Sequence, residues 1–321
     1  MPFRSRPLPM PPPASEGLAV VLQEVRRIEA ETRRLVTDVL AGGYRSTFRG
    51  AGIEFADVRE YVEGDEPRRI DWAVTARMGR PFVKRFVEER ELTVVFAVDT
   101  APSLDAGFGA WSPRQAAARF CALLGLLAIA NNDRIGLCAG AAEALRFVPP
   151  KKGAGHVLRV VRDTLCLRPD GPAAPLGALA RATGKHLRRR TIVFLLSDFL
   201  GFAAGGATAA ALQAELARAA RRHDLIAVWL QPPEWQAPPR RRWLGLAPDG
   251  GSLARVDAAH GPVRALLQER WRALRAQVLD GLGRAHIDCI EMPLGAAPDP
   301  QVLAAPLQRF FRMRELREAR R

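Results

Sequence analysis

The run Thr93-Val-Val-Phe-Ala-Val-Asp99 contains five consecutive apolar residues, Val94–Val98, and ends in an acidic residue. Two further runs, Ile192–Leu196 and Leu225–Leu230, have the same apolar character. Strands without polar alternation are typical of a parallel sheet that helices cover on both faces. We therefore expect these three runs to form the centre of an α/β sheet.

Helical segments alternate with strands from residue 93 onward. The predicted strands are Thr93–Val98, Arg134–Ala139, Thr191–Leu196, Leu225–Leu230 and Ile287–Met292. The predicted helices are Pro113–Ala130, Gly155–Leu165, Leu176–Leu187, Ala209–Arg222, Pro262–Arg284 and Pro300–Met313. This alternation predicts a doubly wound, mostly parallel α/β fold. At about 232–257, two short strand-like runs around a Pro-Asp-Gly-Gly turn predict an inserted β-hairpin.

The N-terminal third has a different character. Residues 1–14 are rich in proline and predict a disordered tail. Apolar residues at helical spacing predict a helix from Ser15 that Gly42-Gly43 ends, and a dense charged stretch follows it. We expect a helix and charged module at 15–92, followed by the α/β domain at 93–321.

The composition indicates a soluble, cytoplasmic, globular protein. Hydrophobic residues make up 48% of the 321 residues and charged residues 26%. The four cysteines are scattered without a CxxC pair, which disfavours zinc and indicates a reducing compartment. The N-terminus lacks the apolar core of a signal peptide. The longest apolar run, Phe120–Ala130, is shorter than the ~20 residues that cross a bilayer.

Two of the predicted strands deliver an aspartate to their carboxyl ends. Asp99 follows the first apolar run, Asp198 follows Val193-Phe-Leu-Leu-Ser197, and Ser103 lies just beyond Asp99. Ligands of doubly wound sheets collect at that edge, and carboxylate and hydroxyl oxygens suit Mg²⁺. The alternative is that each aspartate caps the loop or helix that follows its strand.

The charged stretch carries a family signature. It includes the run Glu54-Phe-Ala-Asp-Val-Arg-Glu-Tyr-Val-Glu-Gly-Asp-Glu-Pro-Arg-Arg-Ile-Asp-Trp72, and later matches are Arg222-His-Asp-Leu225 and Pro306-Leu-Gln-Arg-Phe-Phe-Arg312. The sequence closely resembles domain-of-unknown-function family 58 over nearly the whole chain after residue 15. Members are bacterial proteins with a von Willebrand factor A-like domain, typically encoded beside MoxR-type AAA+ ATPases.

The resemblance implies a metal-site motif and a role. Asp99-Thr-Ala-Pro-Ser103 aligns with the Asp-x-Ser-x-Ser motif of these domains, and Asp198 would be the later carboxylate. The motif is degenerate here, because Ala101 replaces its middle serine and Ala173 stands where a threonine ligand is expected. The implied role is a non-enzymatic adaptor of a MoxR-type ATPase that assists assembly or maturation of a client complex. Asp99, Ser103 and Asp198 would line its partner-binding crevice and hold any Mg²⁺.

Two interpretations of the charged signature remain open. Its alternating signs predict a packed network of ion pairs and caps that holds this segment against the α/β domain, with Tyr61 and Trp72 as apolar anchors. The other interpretation is a docking surface for the ATPase. The residues concerned are Glu54, Asp57, Arg59, Glu60, Tyr61, Asp65, Arg68, Asp71, Trp72 and Arg77.

Two alternative functions follow from other features. The net charge of +14 and the clusters Arg188–Arg190, Arg240–Arg242 and Arg317–Arg321 are consistent with a nucleic-acid-associated protein. The pair of strand-end aspartates is consistent with a metal-dependent hydrolase. Against catalysis, the five histidines are far apart and no GxSxG elbow is present.

Overall fold

The chain forms two compact units. One contains residues 1–47 and 93–321, and the other contains residues 48–92. The N-terminal helix thus groups with the α/β unit, whereas the sequence analysis grouped it with the charged segment. The computed structural model describes residues 14–36, 44, 54–87, 91–140, 145–166, 176–246 and 253–319. The proline-rich tail, except Ala14, and the Gly42-Gly43 helix stop lie outside these ranges.

The first helix, α1 (Ala14–Leu35), belongs to the large unit. Val25, Ile28 and Leu35 are buried, and they recur at the spacing of one helix face. Beside these residues on the same helix face, Glu24 and Glu31 bind the buried guanidinium of Arg119 at 2.7 and 3.2 Å. The helix is therefore held by one apolar stripe and one cluster of charge.

The small unit is a β-hairpin-like ribbon with a short helix between its strands. It contains β1 (Glu54–Glu60), α2 (Trp72–Met78) and β2 (Phe82–Val87), and the two strands are antiparallel. Asp71 caps α2 by accepting hydrogen bonds from the backbone of Ala73 and Val74. The sequence analysis did not predict these strands, because charged residues interrupt their apolar alternation.

The large unit contains a six-stranded sheet and a separate hairpin. Its strands are β3 (Thr93–Val98), β4 (Arg134–Gly140), β5 (Leu145–Lys151), β6 (Ile192–Ser197), β7 (Asp224–Gln231), β8 (Arg242–Leu246), β9 (Leu253–Asp257) and β10 (Asp288–Pro293). The sheet order is β10-β7-β6-β3-β4-β5. All neighbours are parallel except β4 and β5. The predicted doubly wound, mostly parallel sheet is confirmed.

Helices cover both faces of this sheet. They are α3 (Pro113–Ala130), α4 (Ala154–Cys166), α5 (Leu176–His186), α6 (Gly206–Arg222), the short α7 (Pro233–Gln236), α8 (Gly261–Arg284) and α9 (Gln301–Ala319). On one face, α5, α6 and α8 pack against Val95, Ala97 and Val193. On the other, Phe120 of α3 contacts Phe96 and Phe194, and α1 packs on α3 and α4. No helix in the described ranges is both long and apolar enough to span a membrane.

The inserted hairpin could be predicted from the sequence, whereas the edge strand β5 of the six-stranded sheet was not. The inserted hairpin is confirmed, since β8 and β9 pair antiparallel from Arg242 opposite Asp257 to Leu246 opposite Leu253. Its predicted turn lies outside the described residues. Strand β5 was not predicted, because Pro149 and Pro150 interrupt it, and a strand tolerates proline only at the edge of a sheet, where β5 lies.

Candidate functional site

The site lies at the switch point of the sheet, where the order in which the chain adds strands reverses. From β3 the chain adds β4 on one side and later returns to add β6 on the other, so β3 and β6 are parallel neighbours across the switch point. Their carboxyl ends deliver Asp99 and Asp198 to the same edge. The predicted juxtaposition of the two strand-end aspartates is therefore observed, and this edge is where doubly wound sheets bind their ligands.

Asp99 is held in place by the neighbouring strand and by its own loop. Its side chain is 7% exposed, and the Ser197 hydroxyl donates to its Oδ2 at 2.6 Å. The backbone N–H of Ala101 donates to Oδ1 at 2.9 Å. This carboxylate is thus partly a turn-forming group, as the capping alternative predicted, but it also hydrogen-bonds the adjacent strand.

Asp198 has an equivalent pair of donors. The Ser103 hydroxyl donates to its Oδ2 at 2.5 Å, and the backbone N–H of Leu200 donates to its Oδ1 at 3.1 Å. The next residue, Phe199, is buried with a φ of 53°, a left-handed conformation that is uncommon for a bulky residue. Strained backbone of this kind is concentrated at functional sites, where surrounding contacts hold it.

Several residues that support the site had no signal in the sequence. Arg114 of α3 is 2% exposed, and its Nε donates to Asp105 at 2.7 Å. The indole of Trp229 donates to the Asp198 carbonyl oxygen at 2.9 Å. The Thr100 hydroxyl donates to the Gly140 carbonyl at 3.0 Å and so ties the Asp99 loop to β4. The Trp229 and Thr100 contacts join segments distant in sequence, so only the three-dimensional fold reveals them.

The two acids resist simultaneous ionisation. Burial, and next the negative charge of Asp99, raise the pKa of Asp198 to about 7. Burial also raises the pKa of Asp99, although its hydrogen bond from Ser197 and the charge of Arg114 oppose this effect. The crevice therefore favours a bound proton or another positive charge near these carboxylates at neutral pH.

The oxygen atoms present fit Mg²⁺ in kind. Two carboxylates and one hydroxyl are hard ligands, and Mg²⁺ commonly takes one or two carboxylates while keeping several waters. The described residues contain no cluster of three or more His, Cys, Asp or Glu side chains with metal-binding geometry. Any ion here would thus depend on Asp99, Ser103, Asp198 and water. Ala101 supplies only its backbone N–H, and Ala173 lies outside the described residues.

The charged signature forms local contacts within the small unit. Arg59 binds both oxygens of Asp65 at 2.8 and 2.7 Å, and the backbone N–H of Val62 also donates to Asp65. The Arg59 hydrogen bond is the main cause that lowers the pKa of Asp65. Glu60 pairs with Arg80 at 3.0 Å. These ion pairs and hydrogen bonds all lie within the small unit, so the interpretation that the network holds the segment against the α/β domain stays a prediction.

Other signature residues differ from that interpretation. Trp72 is 71% exposed, so it is not the buried apolar anchor that the sequence predicted, whereas Tyr61 is half-buried and donates to the Asp65 carbonyl oxygen. Arg68 and Arg77 are exposed and form no ion pair within the described ranges. The side chains of Glu54 and Asp57 lie outside the described part.

The structure is that of a doubly wound α/β protein with two buried acids at its switch point. The chain belongs to the family described as "Protein of unknown function DUF58", whose model matches residues 57–277. The resemblance to family 58 is therefore confirmed.

Individual relatives share this sequence pattern. "Uncharacterized protein Rv1480" of Mycobacterium tuberculosis (strain ATCC 25618 / H37Rv) is 31% identical over 243 residues, which are 75% of this chain and 71% of that protein. "Uncharacterized protein Mb1516" of Mycobacterium bovis has the same identity and coverage.

Two solved structures overlap with the chain more loosely. The structure titled "Crystal Structure of the SpRpn10 VWA domain" has a TM-score of 0.35 at 13% identity, covering 68% of this chain and 93% of that one. BatB from Bacteroides thetaiotaomicron has a TM-score of 0.33 at 13% identity, covering 61% and 98%. The fold assignment rests on the sheet topology described above.

Proposed function

We propose that this protein is a non-enzymatic cytoplasmic adaptor that binds protein partners through the crevice of Asp99, Ser103 and Asp198. The observation that carries the proposal is the pair of buried acids at the switch point, one with a pKa raised to about 7. Such a pair gains stability when a partner or an ion brings positive charge to it. The hydroxyl and backbone donors around the acids hold them in fixed positions, as a binding site requires.

The proposed partner is a MoxR-type AAA+ ATPase, and the proposed task is assembly or maturation of a client protein complex. The choice of this ATPase rests on the family resemblance. The crevice supports a protein partner over nucleic acid, because two neighbouring carboxylates repel phosphate groups. A partner can bring a lysine or arginine to the acids, or a carboxylate that completes the shell of a Mg²⁺ held there.

Capture of the purified ATPase on the immobilised protein tests this proposal. We expect the native protein to retain the ATPase. Asp99→Ala is expected to bind the ATPase about tenfold more weakly or worse, which is the loss of affinity typical of a central interface residue. Asp280→Ala is a matched control, because Asp280 is an exposed acid on α8 whose pairing with Arg284 is on the surface. Circular dichroism verifies that each variant is folded.

The same assay with and without Mg²⁺ separates the two modes of binding. A partner that inserts a lysine or arginine side chain binds equally in both conditions. A contact that Mg²⁺ mediates is lost when a chelator removes the ion. The adaptor proposal is wrong if Asp99→Ala retains the ATPase as well as the native protein does in both conditions.

A further inference from the structure

An aromatic cavity of about 410 Å³ opens beside the crevice. The two residues that hydrogen-bond the Asp198 carboxylate, Ser103 and Leu200, also line this cavity. Its size lies in the range of roughly 300–1,000 Å³ that ligand sites occupy. The cavity and the acid pair therefore share a wall.

Several separate parts of the large unit build the cavity. Phe108 comes from the loop after β3, Trp243 from the inserted hairpin, and Trp271 from α8. The Phe108 and Trp243 rings meet edge to face at 5.6 Å, and the Trp235 and Trp271 rings lie 5.2 Å apart. Phe108 is 38% exposed, and the three tryptophans are half-buried. Exposed aromatic clusters of this kind are typical of the centres of protein interfaces.

Three arginines lie on or next to the rim of the cavity. The Arg241 guanidinium lies over the Phe108 ring at 4.6 Å, Arg270 lines the cavity, and Arg272 lines an adjoining cleft that shares Trp271. All three arginines are exposed, and within the described ranges none of them pairs with a carboxylate. The acid that lines the cavity, Glu234, accepts a hydrogen bond from the Phe108 backbone.

We infer that this cavity binds an acidic peptide segment of a partner, with one aromatic or leucine side chain in the pocket and flanking carboxylates on the arginine rim. The inference rests on the proposed function and specifies the chemistry of the partner. Apolar walls select a large side chain, and unpaired guanidinium groups bind carboxylates with paired hydrogen bonds. Charge complementarity thus favours an acidic segment over a basic one.

Fluorescence anisotropy with three labelled peptides tests the inference on the full chain. One peptide has a phenylalanine flanked by glutamates, the second has alanine in place of the phenylalanine, and the third has lysines in place of the glutamates. We expect the first peptide to bind at least about tenfold more tightly than either of the others. Equal binding of the alanine peptide, tighter binding of the lysine peptide, or binding of none of the three overturns the inference.

Variants locate the binding. Trp243→Ser and Arg270→Glu are each expected to lower the affinity for the first peptide by about tenfold. Leu316→Ser and Arg221→Glu are the controls, because each removes an exposed apolar or arginine side chain elsewhere, and they are expected to change affinity by less than about twofold. If Trp243→Ser does not fold, Phe108→Ser on the exposed loop replaces it. Unchanged affinity in Trp243→Ser or its replacement overturns the inference.

The ATPase capture assay distinguishes failure of this inference from failure of the adaptor proposal. If the native protein and Trp243→Ser capture the ATPase equally, the cavity is not its docking site, and the adaptor proposal still stands. If the native protein captures no ATPase but binds the acidic peptide, the cavity inference stands and the choice of partner is wrong.

Discussion

The Ser103 hydroxyl donates to the Asp198 carboxylate at 2.5 Å although 95 residues separate the two in sequence. Ser103 follows β3 and Asp198 follows β6, so the hydrogen bond spans the switch point of the sheet. It couples the loop after one strand to the acid of the next. A change in either residue is therefore expected to affect both the charge state and the stability of the crevice.

Removing this hydroxyl tests the coupling. Ser103→Ala is expected to raise the pKa of Asp198 further, because the hydrogen bond from Ser103 stabilises the ionised form. The free energy of unfolding is expected to fall by about 1–3 kcal/mol, the contribution of a hydrogen bond to a buried carboxylate. Carboxyl NMR titration and urea denaturation measure the two effects. An unchanged pKa would show that the hydroxyl does not bind Asp198 in solution.

The stability of the protein is expected to depend on pH through Asp198. Its pKa is about 7 in the folded state against 3.8 for the free side chain, so the folded state holds this proton more tightly. The contribution of this group to the free energy of unfolding is therefore largest below about pH 4 and decreases as the pH rises to about 7. Above that pH the contribution no longer changes. Each unit of pKa difference corresponds to about 1.4 kcal/mol.

Comparison with Asp198→Asn isolates this dependence. The variant cannot ionise at position 198, and its side chain has one acceptor oxygen in place of the two that accept from Ser103 and Leu200, which lowers its stability by an amount independent of pH. The difference in unfolding free energy between the native protein and the variant should therefore shrink or change sign between about pH 4 and 7. Parallel curves from urea denaturation would contradict the raised pKa.

A buried arginine is expected to hold α1 on the large unit. Arg119 is 1% exposed and binds Glu24 and Glu31, so Arg119→Met leaves two carboxylates without their central partner. We expect a loss of about 3 kcal/mol, since breaking a buried charge pair costs roughly 3–5 kcal/mol. Arg27→Met is the control, because Arg27 binds the same Glu31 at 2.8 Å from an exposed position. It is expected to cost less than about 1 kcal/mol by thermal denaturation.

The packing of α8 near the site gives a second stability test. An alanine side chain at position 281 would collide with the Phe202 ring, which belongs to the turn that follows Asp198. Gly281→Ala is therefore expected to destabilise the protein by about 1–3 kcal/mol. Gly283→Ala, two residues along the same helix, has open space around it and is expected to be neutral or slightly stabilising. Equal denaturation midpoints for the two variants would contradict this packing.

Much of the sheet and the pair of acids could be predicted from local sequence. The residues that surround the acids and form the neighbouring cavity could not. Apolar runs such as Val94–Val98 are recognisable because strands buried on both faces need no polar alternation. The positions of Asp99 and Asp198 followed from the rule that parallel strands end at a common edge. The aromatic cavity had no local signal, because Phe108, Trp243 and Trp271 come from three distant segments.

The pKa of Asp198 in the native protein and in Asp99→Asn is the most direct test of the crevice itself. The negative charge of Asp99 is the second-largest cause of the raised pKa, after burial. Neutralising Asp99 is therefore expected to lower the pKa of Asp198 below about 7 while leaving it above 3.8, because the burial remains. If carboxyl NMR titration gives the same Asp198 pKa in both proteins, the two acids do not face a common crevice.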